Sequence, residues 1–252
     1  MEQVKGLLFD IGGVLYNGSH LIEGATEAVS MLRRHYPMRF LTNTTRRTPE
    51  AILHQMRKMG FEVEASQLFT ALSAAKAFLE EREATAMTVM TDEAAAYFEA
   101  FADSKPDFVL VGDAHTNFDY PHLNRAFRAL IDGAELIAAA KNRYFQDEDG
   151  KRSMDAGGFV AALEFAAQKE ARIIGKPSRT FFHLAVASMG LKPEEVVMVG
   201  DDIESDIKGA QDAGLRAVLV RTGKFTPDDL RKGIAPDAVI GSVRELPKLL
   251  YI

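Results

Sequence analysis

The chain contains no cysteine. Disulfides, thiolate nucleophiles, cysteine-bound zinc and iron–sulfur clusters are thereby excluded. It has no apolar run near the roughly 20 residues that cross a bilayer. The run 6–15 is interrupted by Asp10 and has no basic lead-in or small-residue cleavage site, so it reads as a buried strand and not as a signal peptide. Positive charge is not in excess either: 36 acidic and 30 basic residues leave a net −6, which offers no general face for nucleic acid. Internal repeats, low-complexity tracts, heptads and long linkers are missing, and the six histidines show no metal-ligand spacing. The expectation is a soluble, cytoplasmic protein with neither a membrane nor a nucleic-acid partner.

What is present suits a globular chain. Its 252 residues are 47% hydrophobic and 26% charged, enough for one large or two smaller domains. Five short apolar stretches, 6–10, 38–42, 172–175, 196–200 and 216–220, read as strands buried on both faces. Helical patterns separate most of them. Thr48 can cap a helix that Pro49 begins and Gly60 ends, with Ile52, Leu53, Met56 and Met59 on one face. Residues 178–190 and 205–214 read as two more helices. Between the strands 38–42 and 172–175, the stretch 84–170 holds further strands (86–91, 107–111, 135–139) and helices (92–101, 124–131). Lys141–Phe145 reads as strand, Asp147–Gly150 as a turn, and Asp155–Gly158 as a loop facing the other unit. The fold class is α/β. A doubly wound, mainly parallel sheet is built from 1–83 and 171–252, and a second α/β unit, 84–170, is inserted into it.

In such a sheet ligands gather beyond the carboxyl ends of the strands. Asp10 ends the first strand, Thr42 and Asn43 the second, and Asp201 and Asp202 follow 196–200. Clustered carboxylates repel unless a cation or a proton intervenes. With oxygen ligands and no cysteine or histidine cluster, Mg²⁺ is the natural cation. A carboxylate beside it can attack phosphorus and form an aspartyl-phosphate. Lys176 can stabilise the same phosphoryl charge, Thr42 and Asn43 its remaining oxygens, and Asp206 can orient Lys176 or a water. Gly175–Lys176 is not a P-loop, since Glu170 and Pro177 stand where Gly and Ser or Thr are needed. Arg46 is a further candidate for phosphate.

The motifs Asp10-Ile-Gly-Gly-Val-Leu15, Leu41-Thr-Asn43, Gly175-Lys-Pro177 and Gly200-Asp-Asp202 followed by Asp206 resemble the four ordered motifs of the haloacid dehalogenase superfamily. The insert resembles its large α/β (type II) cap. Lys141–Phe145, Gly158–Phe165, Gly209–Gly214 and Arg221–Phe225 resemble the branch of phospholysine phosphohistidine inorganic pyrophosphate phosphatase. The resemblance implies that Asp10 is the nucleophile and a metal ligand. It implies that Asp201 and the backbone carbonyl of Gly12 are further metal ligands. Thr42, Asn43, Thr44 and Lys176 would bind phosphate, with Asp202 and Asp206 behind them. It also implies a homodimer contact through the cap.

One position departs from the pattern. The superfamily has a second Asp two residues after the nucleophile, which protonates the leaving group and later activates water. Gly12 can do neither, and such a group is worth about 10²- to 10⁴-fold. The expected function is therefore a Mg²⁺-dependent phosphatase of small phosphorylated compounds (phosphoesters, phosphoanhydrides or phosphoramidates). It is expected to be slow or selective for good leaving groups. The alternatives are a catalytically silent phosphate-binding or regulatory protein, motivated by Gly12, and dehalogenation at carbon, which the Asp201/Asp206 pair argues against because that reaction needs no metal.

Overall fold

Alternation of side chains along the buried strands builds a two-faced sheet. In Gly6–Asp10, Leu7 and Phe9 join one apolar cluster and Leu8 the other. Val197 and Val199 repeat the division against Val196 and Met198 in Val196–Gly200. A computed structural model describes residues 4–146 and 151–252. Its largest sheet has six strands in the order Ala238–Ile240, Arg216–Val220, Val196–Gly200, Gly6–Asp10, Met38–Thr42 and Leu68–Thr70, all parallel. Chain order reverses between Gly6–Asp10 and Val196–Gly200, so a crevice opens there at the carboxyl ends.

Helices cover both faces. Ala25–Arg33 and Pro49–Lys58 pack on one, Arg179–Ala187 on the other. The Thr48 hydroxyl accepts from the Ala51 N–H at 3.3 Å, Pro49 opens the helix, and Gly60 follows it at φ 95°, as expected from the sequence.

A second parallel sheet runs Arg172–Ile173, Glu135–Ala138, Phe108–Val111, Ala86–Val89. Tyr120–Ile131 and Ala156–Ala167 cover one face, and Ala71–Glu81 the other. Two elements assigned to the first unit from sequence therefore pack with the second. The strand expected at 172–175 is two residues long and pairs with Glu135–Ala138. Helix Ala71–Glu81 puts Leu72, Ala75 and Leu79 against Ala86, Leu110 and Ile137. Their apolar runs read like those of the larger sheet, and only pairing distinguishes them.

Three local expectations also shift. Residues 92–101 form a short helix, Asp92–Ala96, followed by one tight turn, Glu99–Phe101. The helix expected over 205–214 is a wide π-helical segment, Ile203–Lys208, running into Gly209–Asp212. Asp155–Gly158 is a helix start, with Asp155 capping the Ala156 N–H at 2.7 Å. Gly157 does permit close approach, since a Cβ there would lie 2.4 Å from the Asn142 carbonyl oxygen. Tyr144–Gln146 pairs with Arg152–Met154 as a hairpin. The turn expected at 147–150 lies outside the described residues. Among those residues no helix is long and apolar enough to cross a membrane.

Candidate functional site

Asp10, Lys176 and the neighbouring Asp201 and Asp206 come from three segments far apart in sequence yet meet in the crevice, with Asp10, Lys176, Asp201 and Asp206 at 7, 2, 2 and 1% exposure. The Lys176 ammonium bonds to Asp10 Oδ1 and, at 2.6 Å, to Asp206 Oδ1. Burial alone would lower its pKa, but the charges of Asp10 and Asp206 overcome this and hold it protonated. Asp206 uses its other oxygen on the Asp202 N–H at 3.2 Å. The π-helical segment carries it there, and Gly200 makes room: a Cβ on Gly200 would lie 2.3 Å from Asp206 Cβ. Burial, opposed by Lys176 and aided by the charges of Asp10 and Asp202, pushes the Asp206 carboxyl up to about 6.

Asp201 sits in a cradle made by two turns. Its Oδ2 accepts from the Lys224 N–H at 2.6 Å. A Cβ on Gly13 or Gly223 would approach that oxygen to 2.1 or 1.9 Å, and both glycines have left-handed backbone (φ 80° and 62°). Gly223→Ala should therefore lower stability by about 1–3 kcal/mol through backbone strain and loss of this seat. Thermal or urea unfolding checks it, and an unchanged midpoint contradicts the cradle. Burial first, then the charge of Asp10, raises the Asp201 carboxyl well above the ordinary range, and Lys224 opposes this only in part.

Asp10, Asp201 and Asp206 offer oxygen atoms that all lie within 4.8 Å of one another. A buried, all-oxygen, acidic set suits a hard divalent cation. Asp202 is turned differently. It caps the segment after it, accepting from the Glu204 and Ser205 N–H groups at 3.0 Å each, and faces Lys224 at 3.4 Å. Burial raises its pKa, but Lys224 and those two amides together bring it below the usual value.

Thr42, Asn43 and Thr44, at the end of Met38–Thr42, line a cavity of about 250 Å³ together with Asp10, Gly12 and Asp201. The Thr42 hydroxyl accepts from the Thr44 N–H at 3.0 Å, fixing that turn. The Asn43 carboxamide brackets the Lys176 peptide, accepting from its N–H at 2.9 Å and donating to its carbonyl at 2.8 Å. Arg46, a sequence candidate for phosphate, is turned to Asp113 at 2.5 Å and lies 4.7 Å over the Phe145 ring, tying the two units together.

Sequence reasoning missed Lys224 and Tyr16. Lys224 follows the end of Arg216–Val220, so the strand-end rule that found Asp10 and Asp201 would have found it as well. Burial lowers its pKa, and Asp202, Asp201, Asp10 and Asp206 more than restore it. Tyr16 belongs to a two-residue hairpin arm, Tyr16–Asn17, too short to show in a periodicity. Burial, opposed by Arg47 and aided by Asp10, pushes its hydroxyl up to about 12.

Comparison with known proteins places this arrangement. A haloacid dehalogenase-like hydrolase model matches residues 7–102, and a second, HAD-hydrolase-like model matches 173–246. The human haloacid dehalogenase-like hydrolase domain-containing protein 2 is 40% identical over 230 residues, 91% of this chain and 88% of that one. The chain belongs to the haloacid dehalogenase-like hydrolase family. Within that family it is 39% identical to the phospholysine phosphohistidine inorganic pyrophosphate phosphatase of Xenopus laevis, over 90% of this chain and 86% of that one. The branch resemblance read from the motifs is thus borne out. Among solved structures, the 4-nitrophenylphosphatase of Thermotoga maritima superposes with a TM-score of 0.89 at 27% identity, covering 98% of this chain and 97% of that one. The family's core-plus-cap architecture accounts for both sheets.

Proposed function

We propose that this hydrolase is a Mg²⁺-dependent phosphatase of small phosphorylated compounds, working through a phosphorylated Asp10. The observation that carries the reading is the buried meeting of Asp10, Asp201 and Asp206 with Lys176 at the strand ends. The phosphatase names of a relative and of a structural neighbour agree with it. Asp10, Asp201 and the Gly12 carbonyl would hold the cation. Asp201 suits this, because the protein holds it through one carboxylate oxygen and leaves the other to the cavity. The chemistry a bound Mg²⁺ supplies is neutralisation and alignment of phosphoryl oxygens.

In this reading the second carboxylate oxygen of Asp10 attacks phosphorus while Lys176 fixes the first. Lys176, with the Thr42 hydroxyl, the backbone amide of Asn43 and the Thr44 hydroxyl, receives the phosphoryl oxygens, and Asp206 keeps Lys176 in place. Asp202 shapes the turn behind them. The cap unit, through Asp113, Asn142, Phe145 and Asp155 on the cavity wall, selects the rest of the substrate. A homodimer contact through the cap and a cytoplasmic location belong to the same reading. The exposed Tyr120, Ile131 and Phe165 give such a contact apolar surface.

The test is phosphate release from 4-nitrophenyl phosphate, pyrophosphate, a phosphoramidate and an alkyl phosphate, with Mg²⁺ or EDTA. Release that EDTA abolishes, and that is slowest on the alkyl ester, is expected. Release insensitive to EDTA would sink the metal-dependent reading. No release despite phosphate binding would favour the silent alternative that Gly12 motivates.

A further inference from the structure

The loop after Arg216–Val220 meets the turn at residues 12–13. Thr222 Oγ1 donates to the Gly13 carbonyl at 2.5 Å, and a Cβ on Gly223 would lie 2.6 Å from Gly13 Cα. The two turns are in backbone contact. Lys224 comes next. Its backbone N–H holds Asp201, and the residue lines the same cavity as Asp10 and Gly12. Lys224 also lines a second cavity of about 270 Å³, which shares Asn142, Asp201, Asp202 and Ser205 with the first, so it stands where the two spaces meet. Among the described residues its ammonium makes one ion pair, at 3.4 Å with Asp202. The site's other ammonium, on Lys176, is gripped by Asp10 and Asp206 and so belongs to the attacking side. Lys224 is thus the less committed cation, and it is carried by a loop docked on the turn where residue 12 has no side chain.

We propose that Lys224 binds the oxygen of the departing group and stabilises the negative charge that builds there, a role Gly12 cannot fill. The inference rests on the phosphoenzyme reading above. In the step, an Asp10 oxygen bonds to phosphorus as the bond from phosphorus to the leaving oxygen breaks. The electron pair stays on that oxygen. An alkoxide, more basic than the lysine amine, takes a proton from the Lys224 ammonium as it leaves and solvent returns that proton to Lys224, whereas 4-nitrophenolate departs as the anion hydrogen-bonded to it. A fixed donor aimed at developing charge accelerates most where most charge develops, which is on the most basic leaving groups.

The experiment compares native protein, Lys224→Met and Lys224→Arg on 4-nitrophenyl, phenyl and alkyl phosphates. For Lys224→Met, kcat should fall by about 10²-fold on the phenyl and alkyl esters and by much less on 4-nitrophenyl phosphate, with KM little moved. Lys224→Arg should recover most of the loss. Equal loss across the series, or a change in KM alone, would overturn the proposal and make Lys224 a counter-charge for Asp201 and Asp202. Should Lys224→Met not fold, Lys224→Gln is judged by the same criterion. If native turnover does not depend on Asp10, the phosphoenzyme reading fails and this inference falls with it. If turnover depends on Asp10 but its leaving-group dependence is unchanged in Lys224→Met, this inference alone fails.

Discussion

Asp10→Asn should abolish phosphate release while leaving the fold intact. Asparagine has nearly the shape of aspartate and keeps an oxygen that can accept from Lys176, but its amide is no nucleophile. Loss of the nucleophile in covalent catalysis costs at least about 10⁴-fold. The fold survives for an electrostatic reason. Asp10 contributes a favourable contact to Lys176 and also an unfavourable charge to the carboxylates behind it, raising both Asp201 and Asp206. Its neutralisation removes both effects together, and Asp206 remains to pair with Lys176 at 2.6 Å. Phosphate release on 4-nitrophenyl phosphate, read beside thermal unfolding, checks both halves. Residual turnover near the native rate in a folded Asp10→Asn protein would remove Asp10 from the chemistry.

Gly12→Asp is expected to raise turnover on unactivated alkyl phosphates by about 10²- to 10⁴-fold, or roughly 3–5 kcal/mol of barrier. The site has room for it. A Cβ on Gly12 meets nothing within 4 Å, in contrast to its neighbour Gly13, where a Cβ would reach Asp201 Oδ2 at 2.1 Å. Gly12 also lines the cavity, so the new carboxyl would stand in it with Asp10. The gain should shrink on 4-nitrophenyl phosphate, whose leaving group needs little protonation. It should also reduce the dependence on Lys224, since two groups serving one oxygen are not additive. An alkyl phosphatase rate unchanged by Gly12→Asp would mean that leaving-group protonation does not limit this protein.

How much of this was legible beforehand differs from element to element. The first strand could be read because it is apolar on both faces and ends in Asp10. The second helix could be read because Thr48, Pro49 and Gly60 mark its ends locally. The second sheet was legible as a separate unit, but its borders were not. Ala71–Glu81 and Arg172–Ile173 carry apolar patterns that either sheet could bury. The wide turn at Ile203–Lys208 reads from sequence as an ordinary helix start, because residue type and apolar spacing do not separate a π-helical turn from an α-helical one. Lys224 lay in a motif already singled out, yet it had no role until its loop was seen docked on the turn at 12–13.

The sequence by itself determined the inventory: no thiol chemistry, an α/β fold, and four separated motifs supplying four carboxylates, a lysine, a Thr-Asn pair and a glycine two residues after Asp10. Those conclusions follow from residue type and local spacing, which chain order preserves. The tertiary structure decided who shares a wall with whom. It paired Lys176 with Asp10 and Asp206, seated Asp201 between Gly13 and Gly223, turned Arg46 to Asp113, and docked the loop that carries Lys224 on the turn at 12–13. These are contacts between segments up to 209 positions apart. They are set by strand order and by where a Cβ is absent, and no pattern along the chain encodes either one locally.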